Sequence, residues 1–132
     1  MPSTIHQEID IPASPERVYA TLTRAEDFQA LSGGAPAEIE TQPGGAFKLF
    51  GGQITGRNIE LVGSELIVQA WRPAMWRNGV YSVVRIELKK AGDSTRVVLD
   101  HSGFPEEMHE HLSAGWHRMY WEPLKKLHAP LM

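Results

Sequence analysis

The sequence contains no cysteine, which removes disulfides, thiolate nucleophiles and cysteine-ligated metals from consideration. No apolar run approaches the ~18 residues of a membrane span, and the start, MPSTIHQEID, lacks the basic-then-apolar pattern of a signal peptide. Positive charge is not in excess: 13 Lys and Arg stand against 16 Asp and Glu, a net charge of −3. The charges are mixed along the chain, so there is no basic footprint for nucleic acid. The glycines come in pairs at turns rather than as GxGxxG between strand and helix, and no HExxH occurs. His109 and His111 would stand ~200° apart on a helix and could not share a metal. These absences leave a small soluble domain of residues 1–132, with no metal or other cofactor expected and a cytoplasmic location the natural setting.

What is present is organised around one stretch, Phe104 to Leu127. At ~100° per residue, Met108, Leu112, Gly115, Trp116, Met119, Tyr120, Pro123 and Leu127 gather on one side of a helix. Glu110, Ala114, His117, Arg118 and Lys125 fall on the other. Glu106 and Glu107 suit the first turn, and Lys125 and Lys126 the last. Pro123 predicts a kink near Tyr120 to Glu122, because it removes a hydrogen bond and crowds the preceding turn. Trp121 stands nearly opposite the Leu112–Trp116 stripe on an ideal helix. It packs on other helices, is turned inward by the kink, or is exposed as a patch for a partner.

Ahead of this helix, the alternation of Ile5, Gln7, Ile9 and Ile11 predicts a strand over 4–11. Ser14 followed by Pro15 opens a short helix, and the Thr23/Glu26 spacing suggests a capping box opening a second. Gly33–Gly34 stops it. Strands are predicted over 37–42, 46–50, 53–62, 65–72, 80–88 and 95–102, with Gly51–Gly52 as a two-residue hairpin turn. Residues 72–78, RPAMWRN, form a loop with an apolar centre. The short links favour an antiparallel meander. The expected fold class is α+β: a curved antiparallel sheet of about seven strands gripping the terminal helix, with two short helices after the first strand. Such an arrangement leaves a cavity between helix and concave face.

Strand parity supplies the candidate site. Val97, Leu99 and His101 share one face, as do Ser82, Val84 and Ile86; Ile67, Gln69 and Trp71 are taken as inward because the bulkiest group then faces the core. Phe47 and Asn58 are expected inward from their strands, and Trp116 and Tyr120 from the helix. The ligand-contact candidates are therefore Phe47, Asn58, Gln69, Trp71, Ser82, His101, Trp116 and Tyr120. Gln69, Ser82 and His101 are expected to converge at one end of the cavity and to handle a ligand's polar group, since unpaired polar atoms in an apolar chamber are costly. Ser82 with His101 is in principle a nucleophile–base couple, but nothing in the sequence supplies a third member or an oxyanion site, and no catalytic residue is assigned.

The segments IPASPERVYATLT, GGAFKLFGGQITGRNIELVGSELIVQAWRP, YSVVRIEL, GDSTRVVLDHSGFP and GWHRMYWEPLKKL together resemble the activator of heat-shock protein 90 ATPase homologue family, within the START-like helix-grip (SRPBCC) superfamily. The likeness runs nearly end to end. It implies the helix-grip fold and its cavity, in a family that includes proteins binding small apolar molecules, stress or resistance proteins, and the C-terminal domain of a co-chaperone; other branches of the superfamily are polyketide cyclases. The expectation is binding of a small hydrophobic molecule between sheet and helix. The alternatives are a co-chaperone-type interaction module with a possible chaperone contact, and a cyclase-like or hydrolytic enzyme. A monomer or weak dimer is expected. A chain of this length has no room for the co-chaperone's separate N-terminal domain, so strong stimulation of a chaperone ATPase by it alone is not expected.

Overall fold

The computed structural model describes residues 4–128. Strand β1 (Thr4–Ile11) turns Ile5, Gln7 and Ile11 inward and leaves His6, Glu8 and Asp10 facing out. Ser14 then caps α1 (Pro15–Thr23), its Oγ accepting the Arg17 N–H at 3.3 Å. The capping box expected for the next helix does not form. Thr23 donates its hydroxyl back to the Tyr19 carbonyl at 2.7 Å, and α2 (Ala25–Leu31) starts after Arg24 without a side-chain cap.

The remaining strands are β2 (Glu38–Ile39), β3 (Ala46–Leu49), β4 (Ile54–Val62), β5 (Leu66–Pro73), β6 (Ser82–Ala91) and β7 (Ser94–Ser102). They form one antiparallel, curved sheet in the order β1-β7-β6-β5-β4-β3-β2: a meander from β2 to β7, with β1 added beside β7. Two sequence expectations need correcting. The strand expected over 37–42 contracts to Glu38–Ile39, since Thr41 donates its hydroxyl to the Thr23 carbonyl at 2.6 Å and is drawn off the sheet edge towards α1. Gly51–Gly52 does not make a two-residue hairpin: Leu49 pairs with Ile54, and Phe50–Gly52 forms a 3-10 turn with Phe50 itself at φ 53°. That turn aims Phe50 inward, edge-on to Phe28 at 5.3 Å and to Tyr120 at 5.6 Å between ring centres.

The C-terminal helix lies across the concave face. A 3-10 turn at Glu106–Met108 leads into α3 (His109–Gly115), then a π-helical turn at Trp116–Trp121, then α4 (Glu122–Leu127). The irregularity expected ahead of Pro123 takes the form of this π turn. Proline at 123 has no N–H and its ring would crowd the carbonyl four residues back. The chain widens instead, and the Glu122 N–H reaches the His117 carbonyl five residues back. The additional residue in that turn slips the apolar stripe, so Leu112, Trp116, Tyr120, Trp121 and Leu124 are buried while Leu127 and Met119 are partly exposed. Trp121 is thereby fully buried, stacked on Trp116 at 5.5 Å and donating its indole N–H to Gln7 Oε1 at 2.7 Å. No helix among the described residues is long and apolar enough to cross a membrane.

Candidate functional site

All eight side chains expected to face the cavity are buried. They fall into three groups, with Trp116 shared by the first and third and Phe47 standing beside the second. Ser82, His101 and Trp116 form a hydrogen-bonded chain: the Trp116 indole N–H meets His101 Nδ1 at 3.0 Å, His101 Nε2 lies 2.7 Å from Ser82 Oγ, and Ser82 donates to the Trp71 carbonyl at 3.0 Å. An indole nitrogen only donates, so His101 Nδ1 must accept and Nε2 must carry the proton. The imidazole therefore donates to the serine and has no lone pair left to take its proton. This polarity is the reverse of what a nucleophile–base couple needs. Burial also drives the His101 pKa down to about 4, keeping the ring neutral at physiological pH.

The second set is Asn58 and Gln69. Gln69 Nε2 donates to Asn58 Oδ1 at 3.2 Å, and Asn58 Nδ2 donates to the Glu40 carbonyl at 3.2 Å. Asn58 sits where the β4–β5 register shifts, and its backbone bonds Gly44 and Gly45. The expected convergence of Gln69 with Ser82 and His101 is corrected here: Gln69 faces the same side of the sheet but turns to Asn58. Phe47 is packed beneath β4, where a Cβ added at Gly56 would come within 2.7 Å of its ring. These side chains hold the sheet and do not line the pocket.

The pocket lies nearer the Trp71 end of β5 and is lined by the third set, Trp71, Trp116 and Tyr120. Its volume is about 350 Å³. The helix contributes Met108, Leu112, Gly115 and Met119 as further walls, and the opposite wall is Phe50, Ile54, Pro73, Ala74 and Met75. His111 and Arg118 stand exposed at its rim. Arg72 shapes the loop that carries Ala74 and Met75: its guanidinium donates to the Val80 carbonyl at 3.2 Å, to Arg77 at 3.0 Å and also to Trp76. Met75 itself is 80% exposed.

The Trp71 indole N–H and the Tyr120 hydroxyl, on residues 3% and 6% exposed, are buried with almost no accessible surface and have no hydrogen-bond partner beyond each other. Burial pushes the Tyr120 phenol far up, opposed by its side-chain hydrogen bond with the Trp71 indole, so the hydroxyl keeps its proton. Among the described residues no cluster of three His, Asp or Glu side chains is placed to hold a metal.

Sequence reasoning did not include Phe50, Ile54 and Met75. The apolar centre of RPAMWRN was a signal for Met75. Phe50 had none, because its inward aim depends on a positive φ in the turn that follows β3.

Comparison with known proteins places this geometry. A family model described as activator of Hsp90 ATPase homolog 1-like protein matches residues 12–129. The human activator of 90 kDa heat shock protein ATPase homolog 1 is 31% identical over 113 residues, covering 86% of this chain but 33% of that protein. The chain thus spans about a third of the length of that curated relative. A crystal structure of an HSP90 activator from Plasmodium falciparum superposes with a TM-score of 0.88 at 25% identity, covering 94% of each chain. The solution structure of an Aha1 dimer from Colwellia psychrerythraea shares the fold, with a TM-score of 0.80 at 19% identity, over 96% of this chain and 97% of that one.

Proposed function

Because this chain belongs to the activator of Hsp90 ATPase homolog 1-like family, in which this helix-grip fold recurs, we propose that it binds a small hydrophobic molecule between the C-terminal helix and the sheet. The observation that carries this reading is the pocket of about 350 Å³, walled by Trp71, Trp116 and Tyr120 together with methionines from the helix and the 73–80 loop. That size falls within the ~300–1,000 Å³ of small-molecule sites, and apolar walls with a few polar atoms are their usual composition. Methionine walls adapt to different ligand shapes because the side chain is unbranched and polarisable. Trp71, Trp116 and Tyr120 make the ligand contacts in this reading, whereas Phe47, Asn58, Gln69, Ser82 and His101 shape the wall behind them. The test is calorimetric titration with tetralin, an apolar bicyclic hydrocarbon, alongside native mass spectrometry of freshly purified protein for co-purified ligand. Saturable binding with one site per chain is expected. Absence of saturable binding, with no ligand released on denaturation, contradicts the proposal.

A second reading, contact with an Hsp90-type chaperone, is favoured by the relatives named as activators of that ATPase. It concerns the surface rather than the pocket, so the two are compatible. Stimulation of a purified Hsp90 ATPase by this chain at near-stoichiometric ratio supports it; no change in rate and no co-migration oppose it.

A further inference from the structure

The mouth of the pocket narrows the chemistry of its occupant, on the premise that the pocket is a ligand site. Deep in the wall the polar side-chain atoms are out of reach. The Trp71 indole N–H and the Tyr120 hydroxyl have almost no accessible surface, and the Trp116 N–H is committed to His101. A ligand's polar group therefore has to stay at the opening. The exposed polar side chains among the lining residues are Gln53, His111 and Arg118, and no Asp or Glu is among them. His111 stands four residues before Gly115 and Arg118 three residues after it, so all three fall on the pocket side of the helix. Gly115 has no side chain, and a Cβ added there meets nothing within 4 Å. The helix wall thus carries a notch with an imidazole on one flank and a guanidinium on the other.

Among the described residues Arg118 makes no ion pair. Glu122, one turn further along the helix, is taken by Lys125 at 3.6 Å. We propose that Arg118 holds an anionic head group over the Gly115 notch, so that the pocket takes apolar molecules carrying one carboxylate, apolar end inward. A carboxylate left at the rim keeps part of its hydration, so no charge is buried. It meets a guanidinium whose planar fork matches its two oxygens, and the His111 imidazole has an N–H to add. No acidic side chain in the lining opposes it. A cationic head would face Arg118 with like charge, and an uncharged one would gain nothing from it over water.

The test uses two probes with one skeleton, 2-naphthoate and 2-naphthamide, which differ in the charge of the head group. Both are titrated calorimetrically at neutral pH into the full chain, Arg118→Gln and Arg118→Lys. Comparing the naphthoate-to-naphthamide affinity ratio between proteins cancels the probes' own difference in hydration. That ratio should fall about fivefold in Arg118→Gln, the upper range for one exposed charge pair, with naphthamide affinity unchanged within about twofold. Arg118→Lys keeps the charge and should recover part of the ratio. Arg118 is exposed, so neither substitution opens the core. Raising salt to about 0.5 M should weaken naphthoate and leave naphthamide as it was. A ratio unchanged in Arg118→Gln, or lowered equally in Arg118→Lys, overturns the head-group assignment, while tetralin binding, measured separately, keeps the pocket reading intact. Failure of tetralin and of both naphthalene probes to bind the unmodified chain overturns both.

Discussion

Trp121 donates its indole N–H to Gln7 Oε1 at 2.7 Å, which fastens the C-terminal helix to the first strand. Gln7 is occupied at its other end too, its Nε2 donating to the Ser113 carbonyl at 3.0 Å and lying 3.1 Å from the Ser113 hydroxyl. One amide thus joins β1 to two turns of the helix. Gln7→Leu leaves a buried indole donor unpaired, and a loss of about 1–3 kcal/mol is expected in urea unfolding. A loss below about 0.5 kcal/mol, the scale of ordinary surface changes, would show that the bond does not fasten the helix.

Trp116 stands at the centre of the aromatic core, stacked on Trp71 at 5.7 Å and on Trp121 at 5.5 Å, with His101 edge-on. Trp116→Ala should cost about 3–5 kcal/mol, the usual range for deleting a buried aromatic. It also removes the donor that fixes the His101 tautomer. A change under about 1 kcal/mol contradicts this placement of the ring.

The histidines should respond to pH in opposite senses. His101, with its folded pKa depressed to about 4 by burial, contributes full stability above its unfolded value of 6.5. As pH falls below that value the unfolded chain binds a proton that the folded chain refuses, and stability declines by roughly 3 kcal/mol in all by about pH 4. His6 is exposed, and hydrogen bonds to Asp100 and then Glu8 raise its pKa above 6.5. Its contribution is present below the unfolded value and lost as pH rises through the folded one. In a histidine-ring NMR titration, His6 should titrate above its ordinary range while His101 stays neutral down to about pH 5. Titration of His101 near its ordinary value contradicts the buried network.

Where the sequence carried the fold, it did so through period. The alternation from Ile5 to Ile11 marked β1 to the residue, and the parity of Gln69/Trp71, Ser82/Val84 and Leu99/His101 marked the inward face. What period could not supply was register. Gln69, Val84 and His101 lie in one row across β5, β6 and β7, so Gln69 and His101 are separated by a whole strand. Gln69 therefore meets Asn58 on the adjacent β4 instead. The helix was legible as a helix, but an ideal 3.6-residue repeat could not foresee the π turn. That turn, set by Pro123, moved Trp121 inward and Leu127 outward. The pocket followed the same pattern: its helix wall was visible as an apolar stripe, whereas Phe50 depended on one left-handed turn residue.

The most direct test of ligand binding in this pocket is to fill it. Gly115 lines the pocket in an ordinary helical conformation, and a Cβ added there meets nothing within 4 Å. Gly115→Leu should therefore project into the space a ligand would use while raising helix propensity by about 0.8–1 kcal/mol. Tetralin titration of this variant, paired with its urea unfolding curve, separates occupancy from stability. The predicted result is stability equal to or above that of the unmodified chain with affinity reduced at least about tenfold. A folded Gly115→Leu protein that binds tetralin as tightly as the unmodified chain would place the ligand elsewhere and contradict the account.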